Sequence, residues 1–203
     1  MGYKETYNRW LTSDVVDDDT KAELKSIENN EKEIEERFYR ELEFGTAGMR
    51  GIIGAGTNRI NIYNVRRASQ GVAKYVLSNG EDAAKAGVLI GYDTRNFSRT
   101  FAEETAKVLT CAGVKTYLFP IVHSVPEVSF GIRELGCSAG VMITASHNPK
   151  VIQRLQGIRS RRRTTPFRTR LMLLLPQSTA TIYLTTLSLF RLTKQKKKAC
   201  LKS

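Results

Sequence analysis

The sequence predicts an α/β domain in three layers, with helices on both faces of a mostly parallel sheet. Three observations carry this. Short apolar runs of buried-strand type recur at Gly87–Tyr92, Val114–Phe119 and Ser138–Thr144. Segments with helical spacing and helix-start residues stand between them. Strand and helix alternate, which is the order of a parallel sheet covered on both sides.

From the N-terminus, Asp17-Asp18-Asp19-Thr20 precedes a charged segment, Lys21–Phe44, with apolar residues at Leu24, Ile27, Ile34, Phe38 and Leu42. That spacing predicts one long helix, and acids at its start suit the helix dipole. A helix N-terminus is a simpler reading of the three aspartates than a metal site. Residues 1–43 are thus expected to form a helical lead-in. Residues 43–60, EFGTAGMRGIIGAGTNRI, hold five glycines, which predicts a loop whose backbone approaches another group closely. The glycines do not follow G-x-G-x-x-G, so a dinucleotide site is rejected.

Asn64–Leu77 reads as a helix closed by Ser78-Asn79-Gly80. Ser98–Ala112 reads as a second helix, with Ser98 as its cap and Glu103 and Glu104 in its early turns. Pro126–Leu135 is a third, opened by proline. Ligands of parallel sheets collect beyond the carboxyl ends of the strands. Three loops are expected there, at 93–96, 122–125 and 145–149.

The chain has 203 residues, 41% hydrophobic and 26% charged, with a formal net charge of +12. The charge is segregated. Residues 151–203 hold 13 Lys and Arg and no Asp or Glu, leaving 19 basic and all 20 acidic residues for 1–150. The body therefore gives no reason to expect a nucleic-acid partner. Cys111, Cys137 and Cys200 lack metal or redox spacing and read as reduced thiols. The N-terminal residues lack the apolar run of a signal peptide, so a cytoplasmic location is expected.

Ser146 follows a buried strand, with His147 beside it and Asn148-Pro149 fixing a turn. Adjacent residues on an extended chain point to opposite sides, so His147 is badly placed to activate Ser146, and no G-x-S-x-G elbow is present. A serine that carries phosphate needs a cationic clamp, backbone N–H groups and a metal. Arg50 in the glycine-rich segment is a candidate clamp. A capped turn is the alternative reading of Ser146-His147-Asn148.

TASHNPK (Thr144–Lys150), FGTAGMRG (Phe44–Gly51) and GYDTRNFS (Gly91–Ser98) together resemble the signatures of the α-D-phosphohexomutases, the phosphoglucomutase/phosphomannomutase group. The resemblance spans essentially residues 1–150 and leans to the phosphoglucomutase/phosphopentomutase branch. It implies domain I of an intramolecular phosphotransferase, an isomerase that interconverts hexose 1- and 6-phosphates through a phosphoserine. Ser146 matches the phosphoserine, and His147 matches a histidine assigned to proton transfer. Arg50 and Thr46 match residues of the glycine loop that reach the site; with Lys150 they are the expected phosphate-binding residues. Mg²⁺ is implied, bound through the phosphate on Ser146 and carboxylates of a later domain. Glucose 1,6-bisphosphate is implied as activator, and a small sugar phosphate as the partner.

Family members have four domains, and the segment Tyr-Asn-Gly-Tyr-Lys expected after Lys150 is absent. The domain is therefore expected to be incomplete at its C-terminal end, the chain inactive as given, and residues 151–203 a disordered, out-of-frame tail. Codons can be chosen for Val151–Phe167 such that deleting one T from the first codon gives Glu-Tyr-Asn-Gly-Tyr-Lys-Val-Tyr-Gly-Ala-Asp-Gly-Gly-Gln-Leu-Pro. That product resembles the family's continuation. The alternatives are a non-catalytic homologue that binds sugar phosphate, or a nucleic-acid or membrane binder acting through the tail. The basic runs Arg161-Arg162-Arg163 and Lys196-Lys197-Lys198 and the uncharged stretch 171–190 prompt the last two, and neither is expected.

Overall fold

The computed structural model describes residues 2–45, 48–145 and 152–159. In chain order the elements are α1 (Tyr3–Thr12), α2 (Asp18–Ser26), α3 (Glu31–Phe38), β1 (Phe44–Gly45), β2 (Gly48–Ile52), α4 (Ile62–Leu77), α5 (Glu81–Ala86), β3 (Val88–Tyr92), α6 (Ser98–Cys111), β4 (Thr116–Leu118), α7 (Val125–Glu134), β5 (Ala139–Thr144) and β6 (Ile152–Arg159). The sheet runs β1-β2-β6-β5-β3-β4.

The α/β class and the two helical layers stand as the sequence implies. Successive strand residues face opposite sides. Val88, Ile90, Tyr92, Val141 and Ile143 pack with α4 and α6, whereas Leu89 and Met142 pack with Val128 and Ile132 of α7. The sheet itself is mixed. β5, β3 and β4 are parallel, and they are the three apolar runs legible in the sequence. β1, β2, β6 and β5 pair antiparallel.

Two departures matter. The glycine-rich segment is not all loop, because it contains β1 and β2. The close backbone approach expected of its glycines is an approach to β6: a Cβ on Gly48, at φ +96, would lie 2.2 Å from the Leu155 carbonyl oxygen. The second departure is β6 itself. The sequence places the end of the domain at 150, yet Ile152–Arg159 lies between β2 and β5, with Leu155 and Gln153 both 1% exposed. Its backbone ladder on both sides, together with Leu155 in the main core, accounts for its order despite its polar composition. The rest of the basic tail, from 160 onward, lies outside the described residues.

The single helix expected over Lys21–Phe44 is two helices and a strand start. Asn30 breaks it, its side-chain oxygen accepting from the Glu33 N–H at 3.2 Å and capping α3. Asp17 caps α2 in the same way. These helices form a satellite core in which Trp10 meets Phe38 and Tyr63 edge-on, with centroids 5.6 and 5.3 Å apart. They also hold the glycine-rich segment by polar contacts. Arg37 donates to Glu33 at 2.8 Å and to the Ala55 carbonyl at 3.1 Å, and it pairs with Glu23. Glu23 in turn accepts the Ala55 N–H at 3.1 Å.

The Tyr63 hydroxyl donates to the Asp17 carboxylate and accepts the Asp17 N–H at 2.8 Å. Burial, reinforced by this bond, pushes the Tyr63 phenol from 10.0 up to about 12. The folded chain therefore holds this proton more tightly than the unfolded one. The contribution is whole below pH 10 and is lost as pH rises from 10 towards 12. Urea titrations across that range should show a loss on the order of 2 kcal/mol that Tyr63→Phe abolishes.

Candidate active site

β3 and β5 are parallel neighbours, so their carboxyl ends lie side by side. Asp93 follows β3 and joins the two exits. Its backbone N–H donates to the Ile143 carbonyl at 3.1 Å. One carboxylate oxygen accepts from the Arg95 N–H at 3.0 Å and the Ser98 hydroxyl at 2.5 Å; the other accepts from the Ala145 N–H at 3.3 Å. Ser98 also accepts from Gln153 Nε2 at 2.7 Å, and that amide reaches the Asn96 carbonyl at 3.3 Å. A continuous chain of bonds thus runs from β6 through the start of α6 to the residue preceding Ser146.

Ser98 is the first residue of α6 and not its cap. Phe97 occupies the cap position at φ +64. The hydroxyl expected to cap the helix is instead given to Asp93.

At the neighbouring loop, the His123 N–H donates to the Tyr92 carbonyl at 3.1 Å, and its ring lies against Phe119 with centroids 3.9 Å apart. Glu127 accepts from the Ser124 N–H at 2.6 Å and from its hydroxyl at 2.8 Å. Those bonds hold its carboxyl below the ordinary glutamate range. The polar groups of this loop are committed to starting α7.

Arg50 lies on β2 and is exposed. Its register partner on β6 is Arg154, whose partner on β5 is Thr144. Residues paired in register share a face of the sheet, so Arg50, Arg154 and Thr144 form one row on one face. That row ends two residues before Ser146. Of the other expected site residues, Thr46, Ser146, His147 and Lys150 lie outside the described residues. Among the described residues no three His, Cys, Asp or Glu side chains gather into a metal-binding group, and no helix is long and apolar enough to cross a membrane.

The family model described as phosphoglucomutase/phosphomannomutase, alpha/beta/alpha domain I, matches residues 41–182. The chain belongs to this family. A Schizosaccharomyces pombe protein described as a phosphoribomutase is 43% identical over 148 residues, covering 72% of this chain and 25% of that protein. A Staphylococcus haemolyticus phosphoglucomutase is 46% identical over 116 residues, 57% of this chain and 21% of the relative. A crystal structure of a protein described as a phosphomannomutase, from Thermus thermophilus, superposes with a TM-score of 0.59 at 26% identity, covering 68% of this chain and 30% of that one. The chain thus spans about a quarter of the length of such relatives.

Asp93, Ser98 and Gln153 are not singled out as site residues by the sequence reading. The signal for Asp93 is present: a carboxylate directly after a buried strand, inside the third family signature. Gln153 carries none, because its burial depends on β6. Asp93→Ala removes three hydrogen bonds at once, from the Arg95 N–H, the Ser98 hydroxyl and the Ala145 N–H. It should lower unfolding free energy by roughly 2–4 kcal/mol, read by urea denaturation, whereas Asp93→Asn, which keeps one acceptor oxygen, should lose less.

Proposed function

We propose that this chain is the phosphoserine-bearing domain of a phosphohexomutase-type phosphotransferase. Family membership supports the reading, and the observation that carries it is the Asp93 junction. The signature TASHNPK begins on β5, and the N–H of its Ala145 is held by Asp93, so the chain enters Ser146 from a backbone fixed at the carboxyl edge of the sheet.

In this reading the Ser146 oxygen carries a phosphoryl group. A sugar hydroxyl oxygen attacks the phosphorus, the bond to Ser146 breaks, and the hydroxyl proton passes to a base, a role carried over to His147. The bisphosphorylated sugar then returns its other phosphoryl group to Ser146. Arg50 offers a guanidinium with no hydrogen bond or ion pair among the described residues, as a phosphate ligand requires. Thr46 and Lys150 complete the proposed phosphate contacts. Mg²⁺, where bound, would offset phosphate charge. The described residues supply no carboxylate set for it.

The test is a half-reaction. Incubation with glucose 1,6-bisphosphate should add one phosphoryl group to the peptide containing Ser146, seen by mass spectrometry. Ser146→Ala should remove the signal. Phosphate found on another residue, or on none, overturns the reading.

The out-of-frame origin of residues 151–203 stands as a second proposal. Its support is the absence of acidic residues from that segment and the fit of the shifted translation. The ordered β6 and a family match that runs to 182 weigh against it. Sequencing the gene across codon 151 decides between them. A family-like frame one base away is expected, and its absence refutes the idea.

A further inference from the structure

Arg50 and Arg154 stand directly opposite one another on adjacent antiparallel strands. Like charges in that relation destabilise a sheet unless something neutralises them. Nothing among the described residues does so. Neither guanidinium forms an ion pair with them, and Arg154 Nε is buried without a hydrogen-bond partner. A buried N–H left unpaired is costly. The buried Arg59 and Arg67 and the half-buried Arg37 are, by contrast, matched to acids: Arg59 with Glu33 and Glu36, Arg67 with Glu41, and Arg37 with Glu23 and Glu33.

The face is also open. α7 packs on β3 and β5, and Ile158 at the far end of β6 packs against the same cluster, whereas Arg50 on β2 is exposed. Ile52, in the same alternation as Arg50, is 43% exposed. The exposed Arg50 and the half-buried Arg154, neither ion-paired among the described residues, thus stand side by side in the row that leads to Thr144.

We propose that Arg50 and Arg154 together form an oxyanion site for a phosphate group, with Arg154 the member that no family signature in this sequence contains. Guanidinium donors in a fixed fork suit a tetrahedral oxyanion, and a dianion between them removes the cross-strand repulsion. The site rests on the phosphate reading of Arg50 but requires no chemistry at Ser146. It concerns the chain as it is, whatever the origin of its sixth strand.

Phenylglyoxal modification of the full chain, followed residue by residue by peptide mass spectrometry with and without inorganic phosphate, tests it. Saturating phosphate should slow modification of Arg50 and Arg154 together, at least threefold, and leave Arg133 unchanged. Arg133 sits in the last turn of α7, away from the row. In Arg50→Gln, an exposed change, Arg154 should lose its protection; in Ser146→Ala it should keep it. Arg154 reacting at one rate with and without phosphate, or staying protected in Arg50→Gln, overturns the proposal. Protection of both arginines in a chain whose Ser146 accepts no phosphoryl group upholds the site and sinks only the serine chemistry.

Discussion

The Asp93 carboxylate is the constraint on which the site edge depends. It takes donors from its own turn, from the start of α6 and from the exit of β5. A partly buried carboxylate is costly without donors, and each of these comes from a different segment. None of the three can move without leaving the carboxylate under-satisfied. The residue before Ser146 is therefore held by its N–H donating to a carboxylate in the β3–α6 turn.

A second constraint, from β6, joins the two halves of the sheet. The parallel strands β5, β3 and β4 can be assembled from local βαβ connections. The glycine-rich hairpin cannot reach them, because β6 lies between β2 and β5. Pairing on both edges of β6 sets the register that places Arg50 in line with Thr144. Gly48 is the local condition for it: at φ +96 and against the Leu155 carbonyl, no side chain fits. The glycines of FGTAGMRG thus serve strand packing at least at this position, in addition to whatever they do for a ligand.

What is legible in the sequence follows from where side chains carry a periodic signal. The strands β3 and β5 are buried on both faces and read as apolar runs; α4, α6 and α7 read from their spacing and end residues. β2 is hidden because glycines at 48 and 51 leave no alternation to detect. The sixth strand is hidden because its covered face pairs Leu155 with Gln153, and because the surrounding tail is basic. Gln153 is tolerated there only by its bonds to Ser98 and Asn96, a compensation that exists in three dimensions alone. The split of the lead-in helix lies in Asn30, a residue favoured at caps and poor within helices, which the apolar spacing outweighs. Of the candidate site, Arg50 is legible in its motif, while Asp93 and Arg154 become visible through hydrogen bonding and register.

The backbone at Phe97 shows what the Asp93 junction costs. A non-glycine residue at φ +64 is disfavoured by about 1–2 kcal/mol, and Phe97 is also 55% exposed, with its ring stacked on Phe101 at 6.0 Å. Neither feature improves packing. The left-handed turn at 97 does bring Ser98 back towards Asp93, so that its hydroxyl bridges the carboxylate and Gln153. The three hydrogen bonds to Asp93, at about 1 kcal/mol each or more with a charged acceptor, exceed that strain. The local distortion is therefore held in place by the network around Asp93, and relaxing the turn would remove the side-chain bridge from Asp93 through Ser98 to Gln153 while leaving the backbone ladder between β5 and β6 intact.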